Sequence, residues 1–143
     1  MDKTLSKVVF LYVKDNSSKI KTLTQSTTQL FSQKKRLLIL TPSPESLHYI
    51  DDLLWKYPKD SFLPHSIVDT ESTALIALSD RADKNWNQAT HLFNLNPAIP
   101  PLAFTFECIY EFFDQTSPEK QRYSEAKMEQ YSTHQIPLEK WFE

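Results

Sequence analysis

Short apolar runs alternate along the chain with stretches of helical spacing. Val8-Val9-Phe10-Leu11-Tyr12-Val13 is β-branched and aromatic without helical spacing, the pattern of a buried strand. Asp15-Asn16-Ser17 then offers turn and cap chemistry. Ile20, Leu23, Thr27, Leu30 and Phe31 follow on one helical face, and that helix closes near Gln33-Lys34-Lys35-Arg36. Leu37-Leu38-Ile39-Leu40 reads as a second buried strand. In Thr41-Pro42-Ser43-Pro44-Glu45, Ser43 is placed to cap a helix, Pro44 to fill its first position and Glu45 to meet the positive end of its dipole. The pattern carries that helix to about Trp55 or Lys56. Strand, helix, strand, helix in close succession predicts a parallel α/β sheet.

Beyond Pro58 the signals are shorter. Ser61-Phe62-Leu63-Pro64-His65 reads as a proline-bounded loop or short edge segment. Ala74-Leu75-Ile76-Ala77-Leu78 and His91-Leu92-Phe93-Asn94-Leu95 read as strands, with a polar loop over 79–90 between them. Phe104, Phe106, Cys108, Tyr110 and Phe112 alternate, which predicts a strand of period two, with a helix as the other option. Ser117-Pro118-Glu119 repeats the earlier helix start and opens a charged helix to about His134. The tail, with Ile136, Leu138, Trp141 and Phe142, is expected to dock on the rest. No repeat or linker interrupts the chain, so one domain is expected over 1–143.

Composition changes this picture at one point. None of the 143 residues is glycine, where a usual share would give roughly ten. Phosphate-cradling loops, dinucleotide fingerprints and nucleophile elbows need residues without a Cβ, so none is expected in its ordinary form. Nine prolines, with Asn, Asp and Ser, are left to make the turns. The formal net charge of −2 argues against broad binding to a nucleic-acid backbone. The one cysteine, Cys108, cannot form an internal disulfide, which fits a reducing cytoplasm. The run from Val8 to Val13 is too short for a signal-peptide core or a membrane span.

Three groups of residues invite a functional reading. With Leu47, Ile50 and Leu54 facing inward, Trp55 lies roughly 100° off that stripe, as a binding anchor would. The competing reading packs Trp55 on Phe62 to cap one edge of the sheet. His48, ahead of Asp51 and Asp52 on a helix, suggests an acid/base pair for a small cytosolic α/β enzyme, or simply a solvated polar face. No histidine has a metal-ligand partner at a recognised spacing, so no metal or cofactor is expected. On the last helix Lys120, Arg122 and Lys127, with Tyr123, Met128 and Tyr131, offer a groove for an acidic-hydrophobic peptide end, or a solvated face of alternating charge. Trp55, Phe62 and Trp86 would be the stacking platforms of a direct single-strand DNA binder, although the net charge opposes that.

With these residues in view, the chain resembles the chi subunit family of bacterial DNA polymerase III. Leu54-Trp55-Lys56-Tyr57-Pro58-Lys59-Asp60-Ser61-Phe62-Leu63-Pro64-His65 is similar to the family's L-W-x-x-P-x-x-S-F-[VL]-P-H segment. Lys35-Arg36-Leu37-Leu38-Ile39, Phe10-Leu11-Tyr12, His91–Leu95, Glu111-Phe112-Phe113-Asp114 and the positions of Tyr131, Leu138 and Trp141 follow in the same order. The resemblance implies a Rossmann-like α/β fold without a nucleotide site, and an adaptor rather than an enzyme. It implies that Trp55, Pro58, Phe62, Leu63, Pro64 and His65 meet a psi-like clamp-loader subunit or an XPD-type helicase. It further implies that the last helix, around Tyr131, holds the acidic, Phe-ended C-terminal tail of single-stranded DNA-binding protein. Counted back from Tyr131, the family's basic positions fall here on Gln121, Glu125 and Glu129, so a groove would be rebuilt from Lys120, Arg122 and Lys127 with Met128. The family's glycine after this helix is replaced near His134-Gln135.

Overall fold

The apolar runs form one twisted sheet because each has buried residues on both of its faces. The structure, a computed structural model, describes residues 6–57 and 63–142. Strands β1 (Lys7–Val13), β2 (Leu37–Leu40), β3 (Ser66–Ile67), β4 (Ile76–Ser79), β5 (His91–Asn94), β6 (Cys108–Asp114) and β7 (Leu138–Trp141) pair in the order β3-β4-β2-β5-β6-β1-β7. Every pairing is parallel. Along β1, Val9, Leu11 and Val13 join one core with helices α1 (Asn16–Ser32) and α2 (Pro44–Lys56). Val8 and Phe10 join the other with α3 (Pro118–Thr133) and a 3-10 turn over Pro101–Thr105. This two-sided, Rossmann-like covering is what parallel strands need, since crossover helices occupy both faces.

The helix starts follow local chemistry. Asp15, Ser43 and Ser117 accept bonds from the amides of Ser18, Ser46 and Lys120, with prolines in the first turns of α2 and α3. All three N-termini therefore lie at the carboxyl edge of the sheet, where β1, β2 and β6 end.

Several expectations are adjusted. The third predicted strand starts at Ile76 rather than Ala74. The alternating Phe104–Phe112 segment is not one strand: the Pro100-Pro101 pair drives the 3-10 turn through Phe104, and β6 begins only at Cys108. The tail docks as a full strand, β7, held parallel to β1.

The missing glycines leave a measurable trace. Lys34, Gln88 and Gln135 have φ of 59°, 53° and 59°, in the left-handed region that favours glycine. Two of them end helices. After α1 the amides of Lys34 and Lys35 bond the carbonyls of Phe31 and Leu30, and after α3 those of Gln135 and Ile136 bond Ser132 and Tyr131. Both are the paired closure that glycine usually makes. Replacing Gln135 by glycine removes the Cβ clash at the expense of a floppier unfolded chain. We expect Gln135→Gly to stabilise the fold by about 0.5–1 kcal/mol, read as a higher urea midpoint at unchanged slope.

Candidate functional site

Two regions concentrate exposed or charged chemistry. The first lies at the end of α2. Because Leu47, Ile50, Leu53 and Leu54 are buried, the next position, Trp55, is turned outward and is 56% exposed. Its indole rests on the His65 ring, with centroids 4.3 Å apart and planes at 44°. His65 is itself buried. Its Nδ1 lies 2.7 Å from the Leu63 carbonyl oxygen and its Nε2 lies 3.0 Å from Asp51 Oδ1. Leu63 is buried beneath, and Pro64 is exposed beside it. Pro58 and Phe62, and with them the proposed Trp55–Phe62 packing, lie outside the described residues. Of the six residues the resemblance assigns to this surface, the structure thus joins Leu63, His65 and Trp55 in one stack. Asp51, which the sequence pattern grouped with His48, belongs to this stack. His48 is exposed instead.

The second region is a cleft of about 630 Å³ at the carboxyl edge of the sheet, where ligands sit in open α/β folds. Leu23, Ile50, Leu53 and Phe112 contribute apolar lining, and Tyr49 and Tyr123 are exposed aromatics among the same lining residues. Lys19, Lys120 and Lys127 bring ammonium groups. Lys19 Nζ is 2.6 Å from Asp114 Oδ2, which joins α1 to the end of β6. Burial pushes the Asp114 carboxyl up, but the bonds from Lys19 and from the hydroxyl and amide of Thr116 outweigh it and hold the group below its ordinary value.

Lys127 behaves differently from a surface lysine. It is buried, and its Nζ donates to Glu111 Oε1 at 2.7 Å and to the Asn96 carbonyl at 2.9 Å. Glu111, in the middle of β6, has no exposed surface. Its other oxygen accepts from the Tyr131 hydroxyl at 2.7 Å and from Asn94 Nδ2 at 2.8 Å. Burial raises the Glu111 carboxyl, while the Lys127 charge and the three donors act against that rise. Tyr131 is wholly buried and packs edge-on against Phe10 at 6.0 Å.

The six residues expected around a peptide groove are therefore dispersed. Lys120, Tyr123 and Lys127 line the cleft, while Arg122 lies with Gln121 and Glu125 in a separate shallow depression. Met128 and Tyr131 pack on the core of the α3 face. The physical reason is that α3 turns its Ser124, Lys127 and Tyr131 stripe inward to serve β6. Trp86 is also buried, its indole N–H donating to the Arg81 carbonyl at 3.2 Å, so it offers no stacking platform. Among the described residues no group of three or more His, Cys, Asp or Glu is placed to hold a metal ion, and no helix is long and apolar enough to cross a membrane. The Glu111 network and the Asp51 contact were the features that sequence reasoning missed. A lone glutamate inside Cys108–Phe113 is the signal that marked the first.

Sheet order, helix placement and crevice define a Rossmann-like α/β protein with a capped, lysine- and tyrosine-bearing edge and an outward tryptophan on α2. The chain belongs to the family described as DNA polymerase III chi subunit, HolC, whose model matches residues 5–139. The family is that of an accessory subunit of DNA polymerase III, which ties the chain to DNA replication. No curated protein matches it significantly.

The Lys19–Asp114 pair makes a direct prediction. A carboxyl held low in the fold contributes stability above its unfolded value, near pH 4, and loses that contribution as pH falls through its folded value. Urea midpoints measured below about pH 4 should therefore fall more steeply for the native chain than for Asp114→Asn.

Proposed function

We propose that the chain is a non-catalytic adaptor of the replication machinery. It would join a psi-like clamp-loader subunit, or an XPD-type helicase, to the C-terminal tail of single-stranded DNA-binding protein in the cytoplasm. The observation that carries this reading is Trp55: a large aromatic held in place by His65 yet more than half exposed, within a chi-family chain. Rigid exposed aromatics of this kind anchor protein interfaces. Pro64 is exposed beside Trp55, the buried Leu63 and His65 support it from within, and Pro58 and Phe62 are assigned to the same surface from the family segment. Neither a metal nor a cofactor enters this reading.

Immobilised native chain is expected to recover polymerase III, clamp-loader or helicase subunits from an extract of its own cells. Trp55→Ala is expected to lose them while its unfolding free energy in urea stays within about 0.5 kcal/mol, as for an exposed side chain. Recovery of none of these subunits by the native chain would sink the adaptor reading.

For the tail, the cleft supports a narrower version of the groove. An acidic peptide with an apolar end fits ammonium groups at Lys120 and Lys19 above an apolar floor, with Tyr123 at hand. Arg122 contributes from the neighbouring depression, Lys127 and Tyr131 act from beneath through Glu111, and Met128 backs the same helix. Lys127→Ala is a poor probe, because stranding a buried carboxylate costs about 3–5 kcal/mol of stability. Lys120→Ala with Arg122→Ala is the better one. Titrating the tail peptide by calorimetry should show affinity reduced about 3- to 30-fold in the double variant, in line with lost charge-assisted bonds. Equal affinity would remove the tail from this side of α3.

A further inference from the structure

His65 is held at both of its ring nitrogens. The Leu63 carbonyl has no proton to give, so the 2.7 Å contact requires Nδ1–H to donate. The other nitrogen, Nε2, lies 3.0 Å from Asp51 Oδ1, so the ring cannot turn without losing one of the two contacts. The His65 side chain is fully shielded from solvent, whereas that of Asp51 is 26% exposed. The Trp55 indole lies against this ring, with centroids 4.3 Å apart.

We infer that Asp51 is the positioning residue of the Trp55 surface: it holds the His65 ring in place, and the ring keeps the indole ordered with its outer face free for a non-polar partner side chain. This rests on the reading of Trp55 as a docking anchor. Ordering the indole in advance lowers the conformational cost of association. Among the described residues Asp51 is the charged group in contact with the ring. The neighbouring Asp52 and Lys56 pair with each other at 3.9 Å on the exposed side of α2.

The test uses the full chain labelled with nitrogen-15. The indole signal of Trp55 is identified by its loss in Trp55→Phe, and its order is read by the heteronuclear Overhauser effect. We expect Trp55 rigid in the native chain and mobile in Asp51→Ala, and Asp51→Asn, which keeps an acceptor, should restore part of the order. Recovery of polymerase III subunits by immobilised Asp51→Ala should fall about two- to tenfold, the size expected for ordering one large side chain on binding. A Trp55 indole equally rigid in Asp51→Ala would overturn this clamp. A native chain that shows the clamp but recovers no polymerase subunits would instead overturn the adaptor reading and leave the clamp standing.

Discussion

A carboxylate without water sits at the centre of this molecule. Glu111 lies in the middle of β6, and a charge in such a place persists only when every oxygen is answered. Lys127 and Tyr131 answer from α3, and Asn94 answers from β5. The same lysine reaches the Asn96 carbonyl just past β5. Three elements distant in sequence are thereby locked to one point, and the face of α3 that meets the sheet is chosen by hydrogen bonds rather than by apolar area. That explains how so polar a helix can be docked at all. Apolar contacts alone would let α3 slide or rotate; a lysine, a tyrosine and a serine aimed at β6 do not.

The docking of α3 decides what the cleft can be. With Lys127 committed inward, the other ammonium groups that line the cleft are Lys120, which is exposed, and Lys19, which shares itself with Asp114. The crevice keeps the location of a nucleotide site in open α/β sheets, yet its rim is made of capped serine, proline and aspartate starts. A Cβ at every turn position keeps a phosphate from settling against the backbone in the usual way. What remains suits a side chain or chain end reaching in from another protein.

Much of this architecture was legible in the chain. Val8–Val13 and Leu37–Leu40 announced themselves because buried parallel strands are apolar on both faces, and Ser43-Pro44-Glu45 and Ser117-Pro118-Glu119 marked helix starts by local chemistry alone. Phe104 and Phe106 misled because their alternation comes from packing beside a proline-driven turn, not from a pleat. β7 was hidden because Leu138-Glu139-Lys140-Trp141 has little strand character of its own; its pairing with β1 is a long-range event. The exposure of Trp55 was legible, because its angle off the α2 stripe can be counted. The burial of Lys127 and Tyr131 was not legible, because no periodicity tells a solvated basic helix from one that turns its lysine toward a buried acid.

Among the described residues the last strand closes one end of the sheet with an unpaired backbone edge, and such edges invite a second copy to pair. In the two antiparallel, two-fold registers that overlap β7 most fully, Glu139 would face its own copy or Lys140 would face its own copy. Glu139 is moreover held by Lys7 at 3.0 Å. Like charges thus meet in either register, at the step where the sheet would otherwise grow. The exposed aromatics Trp141 and Phe142 thus sit beside a charge pattern that discourages one copy of the chain from adding to the sheet of another.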